Sequence, residues 1–184
     1  MVNEKKLRVM PDASFKCMTW LYNFTDLIRN PQRRLKRIPL KEGMVVLDYG
    51  CGPGRYTLPV ARLVGATGKV FTVDIQPLAI SMIKEKATSE SLTNIEAILV
   101  NSYDTGIQDS SVDLVLFLDT LHMIGNPNAL FREIHRLLKQ DGFIFMDPGH
   151  MKIAKACKIV ENTGFFRIAE CWGKDMLVSL KTKQ

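Results

Sequence analysis

The residues best suited to chemistry fall in one short run, Val46-Leu47-Asp48-Tyr49-Gly50-Cys51-Gly52-Pro53-Gly54. An apolar stretch leads into three glycines at alternate positions, as where a strand turns sharply into a helix. Glycine suits such a turn because it reaches backbone angles that other residues resist, and because no Cβ keeps a ligand off the main chain. The unpaired N–H groups of the following helix then face a polar ligand. Twenty residues beyond Gly54, Asp74 ends a second apolar run. An acid there can accept hydrogen bonds from both hydroxyls of a ribose. Together, glycine turn and strand-end acid make a nucleoside-binding arrangement; capping the next helix is the alternative role for Asp74. A dinucleotide fingerprint would read G-x-G-x-x-G, but Arg55 holds the last position. Its long side chain does not suit the close helix–strand packing that glycine permits there, which argues against NAD or FAD. No G-x-x-x-x-G-K-[ST] occurs, so a phosphate-binding loop is excluded.

A second group of candidates follows the apolar run Val112–Leu118. His122 is the first candidate for a base, because imidazole changes charge near neutral pH and can take a proton from a hydroxyl or an acidic carbon. Holding a loop is its alternative role. Asp119 is the second candidate, with ligand binding as its alternative. His150, after Asp147-Pro148-Gly149, could line a pocket, although a helix-start role is preferred. His135 lies mid-helix among Arg132, Glu133 and Arg136 and is expected at the surface. The four cysteines, Cys17, Cys51, Cys157 and Cys171, contain no C-x-x-C, and three scattered histidines make no paired ligand motif. No metal site is expected. The thiols are expected reduced, with Cys51 a packing residue.

These residues need a scaffold, and hydrophobic periodicity supplies one. Within residues 19–29, Trp20, Phe24, Leu27 and Ile28 share a helix face, and Asn30-Pro31 ends that helix. A short helix over Arg33–Arg37 precedes Pro39. Strands are expected at Met44–Tyr49, Val70–Asp74, Ile95–Val100, Val112–Leu118, Gly142–Asp147, Phe165–Cys171 and Asp175–Lys181. Helices are expected near Pro53–Leu63, Leu78–Ala87, Asn128–Lys139 and Met151–Asn162. Alternating strands and helices imply a parallel sheet with right-handed crossovers. The short turn at Gly173 leaves no room for a crossover, so the last two strands form an antiparallel hairpin.

Length, at 184 residues, fits one folding unit with a full core, divided into a basic helical segment (1–42), which could serve as a lid, and a nucleoside-binding domain (43–184). The whole net charge of +6 arises in residues 1–42, which hold ten Lys/Arg and four acids; the rest sums to zero. A solvated helical face is the preferred reading of that charge. Contact with an anionic substrate, a membrane surface or nucleic acid is the alternative. The aromatics Phe15, Trp20, Tyr22 and Phe24 could close over a pocket, although packing on the sheet is preferred for at least two of them. With neither a signal-peptide pattern nor an apolar run long enough to span a bilayer, a cytoplasmic location is expected.

VVLDYGCGPG resembles the first motif of the class I S-adenosylmethionine-dependent methyltransferases. The resemblance continues through VFTVD, SVDLVLFLDTLHMI and ALFREIHRLLKQDGFIFMD and covers nearly all of residues 43–182. It is greatest to the small-molecule branch that includes quinone-biosynthesis enzymes. It implies a Rossmann-like α/β fold: a doubly wound, seven-stranded, mostly parallel sheet in three α/β/α layers, with S-adenosylmethionine as cofactor and S-adenosylhomocysteine as product. It further implies that Gly50, Gly52 and Gly54, with Tyr49 and Cys51, shape the loop beside the cofactor. Asp48 would lie near its ammonium group, Asp74 would bind the ribose, and Ile75 would pack on the adenine. Asn101 and Ser102 would contact the adenine, and Leu118 and Asp119 would reach the methionine tail. Many relatives carry an acid where Ser102 stands. No Pro-Cys dipeptide serves cytosine-C5 methylation, and the fourth strand lacks the Asp/Asn-Pro-Pro-aromatic run of adenine amino methylases. The expected function is methyl transfer to a small acceptor. An RNA or protein methyltransferase guided by the basic segment, or a non-catalytic cofactor-binding module, are the alternatives.

Overall fold

The computed structural model describes residues 9–28 and 32–181. A seven-stranded sheet runs through the centre in the order β3-β2-β1-β4-β5-β7-β6. Its strands are β1 (Val45–Tyr49), β2 (Lys69–Asp74), β3 (Ile95–Leu99), β4 (Val112–Phe117), β5 (Leu138–Met146), β6 (Phe166–Trp172) and β7 (Asp175–Leu180). The first five pair in parallel, whereas β7 runs antiparallel to both β5 and β6. The helices are α1 (Asp12–Ile28), α2 (Gln32–Leu35), α3 (Thr57–Val64), α4 (Pro77–Ser89), α5 (Pro127–Leu137) and α6 (Ile153–Asn162). The parallel sheet expected from the alternation and the Rossmann-like α/β/α architecture implied by the resemblance are both observed.

Burial explains why these runs became strands. Val46, Leu47, Leu114, Val115, Leu116 and Phe117 are fully enclosed, as central parallel strands covered on both faces should be. One side of the sheet packs Leu130, Phe131, Ile134 and Val160 from α5 and α6; the other packs Val60, Ala61 and Val64 from α3 with Leu35 and Ile38. The order reverses beside β1, where β2 and β4 flank it, so the loops after β1 and β4 diverge and leave a crevice at the carboxyl edge of the sheet.

Three boundaries differ from the periodicity by more than two residues. α3 begins at Thr57, not Pro53, because Gly52 and Gly54 hold positive φ (52° and 83°) and keep the chain in turns to Tyr56. β5 begins at Leu138, where the helix was expected to continue: Leu138 pairs with Val112, and a register shift between Val112 and Leu114 accommodates it. α1 begins at Asp12, well before residue 19, with an acid in its first turn, which is favourable at a helix start.

The aromatic face of α1 also differs. Phe15 is buried, but Trp20 and Phe24 are 66% and 55% exposed and stack on each other with ring centroids 6.2 Å apart. Their four-residue spacing makes them neighbours on the helix but does not decide which way that face points. Among the described residues, no helix is long and apolar enough to cross a membrane.

Candidate functional site

A cavity of about 770 Å³ opens at the crevice beside β1, within the range typical of small-molecule sites. Its floor is the glycine turn with Asp48, Tyr49 and Leu118. Asp74 and Ile75 stand on one flank, Asp119 and His150 on the other, and Met10, Phe15, Met18 and Tyr22 roof it from the amino-terminal segment.

The glycine turn is shaped by its neighbours. Gly50 has φ 73°, and a Cβ there would lie 2.6 Å from the Thr120 side chain, so the turn packs directly on the chain leaving β4. A Cβ on Gly54 would come within 2.9 Å of Leu58 and 3.0 Å of Ile83, so this glycine serves packing against α3 and α4 and does not line the cavity. Gly52 lines the cavity, and a Cβ there would meet nothing within 4 Å among the described residues.

Asp74 ties the turn to the second strand. Its Oδ2 accepts from the Gly52 N–H at 2.9 Å and its Oδ1 from the Gln76 N–H at 2.9 Å. The Cys51 thiol also donates weakly to Oδ2 at 4.0 Å. A carboxylate has about four acceptor positions, so roughly one stays free for a diol and a second is held only by that thiol. Burial pushes its pKa up, and the backbone donors oppose that shift. Asp48 is buried at the cavity floor and accepts from Thr57 Oγ1 at 2.5 Å. Burial raises its pKa to about 6, the Thr57 bond opposes this, and the charge of Asp74 adds to it. Cys51 is buried, and burial raises its thiol pKa well above the ordinary value. The resemblance also singled out Asn101, which is exposed, and Ser102; neither reaches the cavity wall, where Val100 and Tyr103 stand instead.

The opposite flank is built at the ends of β4 and β5. Asp147, buried at the end of β5, accepts from the Asp119 N–H at 3.0 Å and the Gly149 N–H at 2.6 Å. Arg34 of α2 donates to Asp147 at 2.5 Å and also to Asp175, two carboxylates more than a hundred residues away in sequence. Asp119 adopts a positive φ of 51°, unusual for a residue with a Cβ. The Tyr22 hydroxyl donates to its Oδ2 at 2.9 Å. Burial, then the Asp119 charge and hydrogen bond, push the Tyr22 pKa up to about 12. His122 sits in a short 3-10 turn (Leu121–Met123) beneath the wall, with Nδ1 3.9 Å from Asp119 Oδ1. His150 packs edge-on against it with centroids 5.0 Å apart. Sequence pattern marks neither Arg34 nor Tyr103 for the site, and it reaches Tyr22 only as a candidate lid aromatic and Asp147 only as the residue before Pro148-Gly149-His150, because each arrives from a different element.

A family model described as a methyltransferase domain matches residues 40–183. The chain is 25% identical over 168 residues to a demethylmenaquinone methyltransferase of Listeria monocytogenes, covering 91% of this chain and 71% of that protein. It spans about half the length of several other demethylmenaquinone methyltransferases that it matches. A solved S-adenosylmethionine-dependent methyltransferase of Aquifex aeolicus superposes with a TM-score of 0.72 at 26% identity, covering 81% of this chain and 87% of that one. A solved structure from Methanococcus maripaludis shares the fold with a TM-score of 0.78 at 15% identity, over 100% of this chain and 98% of that one.

Proposed function

We propose a function from one premise: this chain belongs to the class I S-adenosylmethionine-dependent methyltransferases, whose domain model it matches over residues 40–183. The reading is transfer of the cofactor's methyl group to a small, largely apolar acceptor of quinol-like chemistry. The observation that carries it is the roof of the cavity. Met10, Phe15, Met18 and Tyr22 come from this chain's own amino-terminal segment and narrow the site to a chamber of small-molecule size. Relatives named demethylmenaquinone methyltransferases support the same acceptor class.

The residues present fit the cofactor. Asp74 keeps about one free acceptor position and a second occupied only by the weak Cys51 thiol bond for ribose hydroxyls, Gly52 offers main chain without a Cβ, and Ile75 gives an apolar wall beside them. When bound, the cofactor supplies an electrophilic methyl on a sulfonium, so alignment of the acceptor can provide much of the rate. The chain's own part is to hold the acceptor against that methyl, exclude water beneath α1, and receive a proton. Asp119 lines the flank where a hydroxyl or acidic carbon would give it up, and His122 lies behind it with Nδ1 3.9 Å from Asp119 Oδ1.

A nucleic-acid acceptor has the basic segment in its favour. However, Arg34 and Arg37 of that segment are engaged with Asp175, and Arg34 also with Asp147. The deciding experiment offers labelled cofactor with a reduced naphthoquinone in one arm and total RNA in the other. Label in the quinone arm supports the reading. Label in RNA alone, lost steeply with added salt, would replace it.

Asp48 makes the cofactor site sensitive to pH. Its folded pKa of about 6 lies above the unfolded carboxylate value, so the ligand-free protein binds the extra proton and loses stability as pH rises from about 4 to 6. A ligand carrying an ammonium beside Asp48 favours the ionised form. Affinity for S-adenosylhomocysteine is therefore expected to rise with pH through about 6 and level off near 7. Calorimetry across that range should show the slope in the unmodified chain and lose it in Asp48→Asn.

A further inference from the structure

The loops leaving β4 and β5 bring together three side chains that the sequence keeps apart. One ring nitrogen of His122, one of His150 and a carboxylate oxygen of Asp119 lie within 4.8 Å of one another. We propose that Asp119, His122 and His150 bind a first-row divalent transition-metal ion at the acceptor flank of the cavity. This deepens the methyl-transfer reading and rests on it for the ion's role.

Four observations bear on it. His122 Nδ1 is buried and has no hydrogen-bond partner among the described residues, with Asp119 Oδ1 at 3.9 Å, too far for one. A lone pair shielded from water in this way is costly unless something electrophilic meets it. Next, Gly149, at φ 58°, faces the same point: a Cβ there would lie 2.5 Å from His122 Nδ1 and 2.6 Å from Asp119 Oδ1. The lack of a side chain at Gly149 keeps the space between the two ligand atoms open.

The Asp119 carboxylate is also aimed. Its backbone takes a strained positive φ, held by the N–H bond to Asp147, and Tyr22 occupies Oδ2, which leaves Oδ1 towards the histidines. A second residue that fixes one oxygen of a ligating carboxylate is a regular feature of metal sites. Finally, Asp119 and His150 both line the cavity, so an ion held here would present its remaining positions to the acceptor.

The donor set selects the ion. Two imidazoles and one carboxylate suit zinc, iron(II), cobalt or nickel, whereas magnesium and calcium prefer oxygen ligands alone. Metal–nitrogen and metal–oxygen bonds of about 2.0–2.2 Å require ligand atoms closer than they stand. Closing that difference requires the exposed His150 ring to turn inward and the 3.9 Å between His122 Nδ1 and Asp119 Oδ1 to shorten. Three protein ligands leave open positions, the arrangement of sites that act on a bound molecule, and an acceptor oxygen such as a phenolate would fill one. The ion would orient that oxygen and stabilise its charge.

The test uses the full chain, freed of metal with a chelator and titrated with cobalt(II). The proposal expects about one equivalent bound, ligand-field absorption without a thiolate charge-transfer band, and displacement by zinc. His150→Ala alters an exposed side chain, so circular dichroism should report an intact fold while cobalt affinity falls at least roughly tenfold. Tyr22→Phe should cost about 10- to 100-fold in cobalt affinity through the freed Asp119 oxygen. Absence of the cobalt signal, or binding equal in His150→Ala and the unmodified chain, would overturn the proposal. S-adenosylhomocysteine titrated into the same samples separates the two readings. Binding of that ligand without cobalt uptake removes the metal site and leaves the methyltransferase reading. Cobalt uptake without it does the reverse.

Discussion

Replacing Arg34 with methionine is expected to cost the fold about 3–5 kcal/mol, the usual penalty for removing one partner of a buried ion pair. Asp147 and Asp175 are both nearly inaccessible, and Arg34 reaches both, while Arg37 offers Asp175 only a longer contact at 3.3 Å. With Arg34 gone, Asp147 keeps the Asp119 and Gly149 N–H groups but loses its countercharge. Denaturant unfolding followed by circular dichroism measures the loss. Changing Asp147 and Asp175 to asparagine in the same chain should restore much of it, because the cost lies in stranded charge. A loss below about 1 kcal/mol, the range of exposed pairs, would show that water already screens this cluster.

The second large effect concerns the cofactor. Asp74→Ala should weaken S-adenosylmethionine binding by roughly 1.5–3 kcal/mol, the worth of charge-assisted bonds to two hydroxyls. That corresponds to about ten- to hundredfold in Kd by calorimetry. Stability should change less than affinity. Burial already disfavours the Asp74 charge in the ligand-free protein, and the freed Gly52 N–H borders the cavity, where water can meet it. Unchanged affinity would mean that the ribose is held elsewhere.

Much of the scaffold was legible because enclosed strands write themselves as apolar runs. VVLDY and VDLVLF, the two central strands, are examples. The hairpin of β6 and β7 was legible for another reason: a turn at Gly173 is too short for any other connection. Local pattern failed where distant partners decide. Trp20 and Phe24 form a stripe that looks like a packing face, yet they point outward because Phe15, Met18 and Tyr22 already occupy the side of α1 over the cavity. Arg34 looked like one charge in a basic run, and only the sheet order brings it to the ends of β5 and β7. His122 and His150 are 28 residues apart in sequence, but they follow adjacent parallel strands. The observed strand order, with β5 beside β4, is what places the two loops side by side.

The exposed ring of Trp20 has a practical consequence for optical work. The chain holds two tryptophans, and the other, Trp172, is 36% exposed at the far edge of the sheet. Neither sits in the enclosed core, so native emission should already resemble that of indole in water, and unfolding should shift it little. A melting curve drawn from that emission would understate the transition that circular dichroism reports. Trp20 lies on the helix that roofs the cavity, two residues from Tyr22. Its emission is therefore the natural reporter of movement in that helix when a ligand enters, and a Trp172→Phe chain would carry that signal alone.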